Sequence, residues 1–337
     1  MFNNVKKITE PITGEPFLCA IWMGKNSLNF YSKEKSFIPF FEQGHNTFVP
    51  WISGWRVTKF PTASSDTIVY SVGKDVSIDY KGESKLLIAR GPKEEFNAQA
   101  IAYLAFWMLE AQRQEGSILT SHAASLSYGG KGVLVLGERG YGKTSTILHL
   151  CRKYSYYLIA NDLAMIGYDD SSKKATLYDG TKIFGFRLAA IRENFPDLLP
   201  KFENTEKDSR TTRVFVYPYE IGIGVENRPI VLQKVFLVYL DATKKDRLSV
   251  KVWDDLWIRN YLYENFSRYI RGTAIVAFGA QSKDFLGYLP SLDTPEFHIK
   301  RVKLINYLIK DIQILSVSGG NLNEIVEFIY SAVLKES

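Results

Sequence analysis

The chain has 337 residues, 46% of them apolar and 23% charged, the composition of an ordinary globular protein of about two domains. That excludes a disordered, collagen-like or coiled-coil chain. The net charge of +6, from 42 basic and 36 acidic side chains, is spread along the sequence, so no basic tail or nucleic-acid arm is expected. No apolar run reaches the roughly 18 residues that a membrane-spanning helix needs. Residues 1–16 lack the apolar stretch of a secretory signal. Two cysteines, Cys19 and Cys151, cannot make a disulfide framework or a Cys-rich metal site, so a reducing cytoplasm is the expected location.

In chain order, residues 1–95 read as a β-rich module, with strand composition at 16–23, 47–49, 67–72 and 85–89 between Gly, Ser, Asp and Lys clusters. A helix is expected over 94–114, with Phe96, Ala100, Tyr103, Leu104, Trp107 and Met108 at helical spacing, a packing stripe. This helix is assigned to the second domain, residues 96–337. From about 117 strands and helices alternate. Residues 132–136 (GVLVL) are apolar without alternation, as in a buried parallel strand, and a helix follows over 144–153. Strands are expected at 156–160, 165–168, 235–240 and 312–317, with a turn at 169–174. An aromatic-rich helix over 254–271 ends at Gly272; its Trp253, Trp257 and Tyr261 suit core packing or a subunit or peptide surface. Asn321 and Glu324 form a capping-box-like start to a last helix. The second region is therefore expected to be an α/β domain.

Between the GVLVL strand and its helix lie Gly137, Glu138, Arg139, Gly140, Tyr141, Gly142, Lys143 and Thr144, a full GxxxxGK[ST] phosphate loop, with Ser145 next. Gly140 and Gly142 let backbone N–H groups converge on phosphate oxygens. The helix start adds unpaired donors and positive potential. Lys143 supplies a charge for the β- and γ-phosphates and Thr144 a hydroxyl for Mg²⁺. The expected ligand is ATP with Mg²⁺; no Asn-Lys-x-Asp base-reading element of a GTPase is present.

Two carboxylates compete for the metal-linked role. Asp241 ends the apolar run 235–240, and Asp162 ends the strand at 156–160 plus Asn161, nineteen residues after Lys143. His122 precedes Gly137 by fifteen residues, in Ser121-His-Ala-Ala-Ser. With His122, the 137–144 loop and Ala160-Asn161-Asp162 in this order and spacing, the chain resembles the HPr kinase/phosphorylase family of P-loop kinases. The likeness covers residues 117–170 and, more thinly, 310–335. It implies a kinase-type α/β domain with a mixed sheet flanked by helices, and Asp162 and His122 beside Lys143 as catalytic residues. It also implies that Thr144 and Asp162 hold Mg²⁺. One departure stands out: the family's usual base, the first of two strand-end aspartates, is replaced by Asn161, which accepts no proton at neutral pH. That leaves Asp162 or His122 as base, or a different chemistry. The family's glycine-rich segment with its acidic residue has no clear counterpart; 219–224 is the nearest. The chain is in this respect similar to kinases of peptide-modification gene clusters, which carry a variable N-terminal module.

Arg139, Arg187, Arg192, Arg210 and Arg213 are candidates to reach a transferring phosphoryl group. His45, His149 and His298 are read as non-catalytic. The leading expectation is an ATP-dependent phosphotransferase acting on a hydroxyl of a peptide, protein or small metabolite, with no membrane or nucleic-acid partner and with homo-oligomers possible. The alternatives are a non-kinase P-loop ATPase or nucleotide-gated binding module, and a nucleotidyltransferase.

Overall fold

A left-handed glycine at 24 folds β1 (Phe17–Met23) back onto β2 (Asn26–Tyr31) as an antiparallel hairpin. In the computed structural model, which describes residues 14–43, 52–94, 96, 98–202, 213–241, 243, 248–252, 255–273 and 288–335, this hairpin opens a six-stranded sheet. It is joined by β3 (Trp55–Thr58), β4 (Thr67–Val72), β5 (Ser77–Lys81) and β6 (Leu86–Gly91) in the order β3-β1-β2-β4-β6-β5. The β2–β4 and β4–β6 pairs are parallel and the rest antiparallel. Short α1 (Phe37–Gln43) adds Phe37 and Phe41 to an aromatic core with Phe30, Tyr70 and Phe96, ring centroids 5.2–6.0 Å apart. The expected strand at 47–49, with His45, lies outside the described residues.

The helix α2 (Ala98–Glu115) is not the one-sided stripe the sequence suggests. From Ala100 to Leu109 every side chain is at most 4% exposed, so the helix is buried on all sides. It also belongs elsewhere than expected. The described residues form two compact units, one reaching Leu119 and taking back Phe266–Ile299, the other holding Thr120–Asn265 and continuing from Lys300. The first unit thus runs to Leu119, past the expected break at 95. The reason is that α2 is the centre of the first unit: Gln112 exchanges hydrogen bonds with Ser27 N and O at 3.2 and 2.9 Å, Trp107 Nε1 donates to the Ile270 carbonyl at 3.3 Å, and Phe106 meets Tyr269 edge-on at 5.4 Å.

The second unit is built on a nine-stranded mixed sheet. Its strands are β7 (Ile118–His122), β8 (Ala124–Tyr128), β9 (Lys131–Leu136), β10 (Tyr157–Ala160), β11 (Leu163–Asp169), β12 (Lys174–Gly180), β15 (Ile230–Leu240), β16 (Ser249–Lys251) and β17 (Gln313–Gly319). A separate pair, β13 (Phe184–Arg187) and β14 (Arg213–Val216), sits apart from it. The order is β10-β8-β9-β15-β12-β11-β7, with β17 also paired to β15 and β16 to β17. The expected parallel strand β9 is parallel to β15 and antiparallel to β8. Helices α3 (Lys143–Tyr154) and α7 (Leu322–Leu334) bury Ile147, Leu148, Ile325, Val326 and Ile329 in the core with Val135, Phe236 and Val317. Asn321 Oδ1 accepts from Asn323 N–H at 2.9 Å, the N-cap half of the expected box. The remaining helices are α4 (Leu188–Asn194), α5 (Asp255–Ser267) and α6 (Pro295–Asp311); Trp253 and Asp254, expected at the start of α5, lie outside the described residues.

Strand order and chain order together force the sheet to curl. Flat, β7 and β8 would lie five strand spacings, roughly 24 Å, apart. Only Ala123 separates them in the chain. The same holds for β10 and β11, also five places apart in the order yet joined through Asn161 and Asp162. The sheet therefore wraps until its ends meet, and the two corners of the wrap carry His122 and Asp162. Among the described residues no helix is long and apolar enough to cross a membrane.

Candidate active site

The loop between β9 and α3 is shaped by glycines in left-handed conformations, Gly140 at φ 91° and Gly142 at φ 86°. At Gly142 a side chain has no room, because a Cβ there would stand 2.7 Å from Leu240 Cβ. The end of β15 holds the loop in place: Leu240 N–H donates to the Tyr141 carbonyl at 3.0 Å and Tyr239 meets the Tyr141 ring edge-on at 4.4 Å. Gly142 is the N-cap of α3, so no capping side chain covers the first N–H groups of the helix. Glu138, Arg139, Gly140 and Tyr141 are exposed, Thr144 is half-buried, and Lys143 and Ser145 are buried. This is a cradle of donors with open space above Gly140, where an added Cβ would meet nothing within 4 Å.

Lys143 Nζ donates to the Gly137 carbonyl at 2.6 Å and the Glu138 carbonyl at 3.3 Å, so the loop's own oxygens hold the ammonium. The same Nζ lies 3.5 Å from His122 Nε2, and His122 Nε2 lies 3.3 Å from Asp162 Oδ1. Lys143, His122 and Asp162, the three residues predicted to be catalytic, thus form one string. A single ring nitrogen cannot serve both neighbours alike: Nε2 either accepts from Lys143 or, carrying the proton, donates to Asp162. The Asp162 side chain is 37% exposed and that of His122 14%, so both are reachable from solvent.

Each corner is clamped by a buried side chain that the sequence did not mark. Asn265, near the end of α5, accepts from Ser121 Oγ at 2.8 Å and His122 N–H at 2.9 Å, and donates to the His122 carbonyl at 3.3 Å. Thr181 Oγ1 accepts from the N–H groups of Asp162 and Leu163 at 3.0 and 3.1 Å. Both clamps join residues distant in sequence, so no local spacing could have revealed them.

Other candidates separate from this string. Asn161 is 3% exposed and its amide donates to the Ile183 carbonyl at 2.9 Å. The Asp241 carboxylate accepts from Thr243 N and Oγ1 at 3.1 and 2.6 Å and from Tyr239 at 3.4 Å, a local turn at the end of β15. Contact with the Lys143–His122 pair is made by Asp162. In the 219–224 segment Glu220 accepts from Tyr217 N–H at 2.6 Å, capping its own short helix, and the Gly224 carbonyl accepts from Leu158 N–H at 2.9 Å beside β10. Arg139, Arg187 and Arg192 are exposed; Arg213 stands opposite Arg187 in the β13–β14 register, and Arg210 lies outside the described residues. His149 packs on Phe195 at 4.8 Å, and burial holds its pKa below 6.5. Burial pushes the Cys19 thiol up to about 12 and Cys151 higher still, which leaves neither as a nucleophile at neutral pH.

Among the described residues no three His, Cys, Asp or Glu side chains gather to hold a metal by themselves. Mg²⁺ does not require such a cage, since it commonly takes one or two protein oxygens and completes its shell with phosphate and water. Thr144 and Asp162 carry oxygens of the kind Mg²⁺ takes. The chain matches no protein-family model and no curated protein sequence.

Proposed function

We propose that the chain is an ATP-dependent phosphotransferase, moving the γ-phosphoryl group to a hydroxyl of a peptide, protein or small metabolite. The observation that carries this reading is the meeting of Lys143, His122 and Asp162 within 3.5 Å steps at the start of α3. They come from a phosphate loop and from two sheet corners, and nothing in core packing calls for that combination. The reading also accords with the likeness to the HPr kinase/phosphorylase family.

In this reading the loop N–H groups and the α3 terminus bind the phosphates of ATP, and Lys143 leaves the Gly137 carbonyl for the β- and γ-oxygens. Thr144 and Asp162 would hold Mg²⁺, which neutralises charge on the phosphates. The turn of Lys143 frees the Nε2 lone pair of His122. As the acceptor oxygen bonds to the γ-phosphorus, the bond to the bridging oxygen breaks and its electrons leave with ADP. The hydroxyl proton passes to His122 Nε2, where Asp162 steadies the imidazolium. Asn161 takes no part; it is buried and bound to Ile183. A base of this kind contributes about 10²–10⁴-fold, with positioning supplying much of the rest.

The test incubates the protein with Mg-ATP labelled at the γ- or the α-phosphate, together with an extract of the cells it comes from. γ-Label should move to an extract component with the wild type and not with Lys143→Ala. Free phosphate alone, at a rate indifferent to extract, would establish a hydrolase instead. α-Label on the acceptor would establish nucleotidyl transfer.

A further inference from the structure

We infer that Asn265 is the positioning residue of this site, acting through His122. The inference rests on the phosphotransferase reading for its catalytic consequence, and on geometry alone for the placement itself. His122 is the last residue of β7, at the corner where the curled sheet closes. Asn265 grips its backbone there: one planar amide takes the His122 N–H at 2.9 Å and gives to the His122 carbonyl at 3.3 Å. It copies the pair of bonds that a neighbouring strand would make. The third bond, from Ser121 Oγ at 2.8 Å, fixes the rotamer of Asn265 itself. Asn265 is 6% exposed and Ser121 fully buried, so water does not compete for these bonds.

The consequence falls on the imidazole. Its Nε2 must stand near both Lys143 and Asp162, at 3.5 and 3.3 Å, and a corner free to rotate about Ser121–Ala123 would lose one or both. Displacing a reacting group by about 1 Å costs on the order of 100-fold in rate. The bonds of Asn265 go to Ser121 and His122, so its loss should lower turnover and spare nucleotide binding. A residue that merely supported the fold would lower both together, or neither.

The test compares wild type, Asn265→Leu, Asn265→Asp, His122→Gln and the Asn265→Leu/His122→Gln double variant. Two readouts are taken: ATP turnover beside nucleotide affinity, and the imidazole NMR resonances of the four histidines. The His122 resonance is the one missing from His122→Gln. Asn265→Leu should lower kcat by roughly 100-fold with nucleotide Kd within about twofold, and should have no further effect in the His122→Gln background. Asn265→Asp keeps the two acceptor bonds and loses the donor, so it should recover part of the rate. In Asn265→Leu the His122 resonance should move while that of His149 stays. Equal losses in both backgrounds, or an unmoved His122 resonance, would overturn the inference. If the wild type, with the extract present, transfers no γ-label, the phosphotransferase reading falls, and the resonance shift alone decides whether Asn265 places His122.

Discussion

At the scale of single residues, Asn161 decides how the departure from the kinase pattern is understood. Its amide N–H donates to the Ile183 carbonyl, an acceptor that a carboxylate could not satisfy, while its Oδ1 is buried without a partner. An ionised aspartate there would set oxygen against oxygen in a site 3% exposed. Asn161→Asp should therefore destabilise the protein by about 1–3 kcal/mol and should not raise turnover. The carboxyl would escape the clash by keeping its proton, so its folded pKa would be raised and the loss of stability would deepen from pH 5 to pH 7. Urea unfolding at both pH values checks this; a variant as stable as wild type at pH 7, with faster phosphotransfer, would make Asn161 the vestige of a base. In the proposed phosphotransferase the work of that aspartate would fall on residues that keep access to solvent, His122 and Asp162.

At the scale of elements, α3 carries both the site and a pH-sensitive packing contact. His149, on its Phe195-facing side, has its pKa lowered, first by burial, from 6.5. The unfolded chain thus binds the proton more readily, and stability falls as pH drops below about 6.5. His149→Gln should narrow the gap in thermal midpoint between pH 7.5 and 5.5; an unchanged gap would mean that other groups set it. The sequence made β9, the loop and α3 legible because their signals are local: an apolar run, glycines at fixed spacing, a helix start. It also made β4 legible residue for residue. It did not make the clamps legible, since Asn265 and Thr181 act across long separations. Nor did it mark β7, β8, β12, β13 or α6, whose polar or mixed faces give weak periodicity. Their place is set by pairing partners, and the curl that joins His122 to Asp162 is a property of strand order, which no window of sequence contains.

At the scale of the whole molecule, the chain does not divide at one point. Phe266–Ile299 returns to the first unit, so a cut at 119 separates sequence but not structure. A fragment of residues 120–337 would strand Phe266, Tyr269 and Ile270, each at most 6% exposed in the full chain. Exposing such side chains costs about 1.5–3 kcal/mol apiece. The fragment should aggregate or melt well below the full-length protein, as size-exclusion chromatography and a thermal scan would record; a monomeric fragment with an unchanged midpoint would show the return segment to be dispensable. The pairing of β9 has a consequence in time as well. One edge of β9 meets β8, its immediate predecessor, while the other must wait for β15, some hundred residues downstream. Leu240, which grips the glycine loop, arrives at the very end of that late strand. During synthesis, then, the hairpin emerges early but the cradle stays unformed until β15 is made, and the glycine loop gains its held shape only after most of the protein exists.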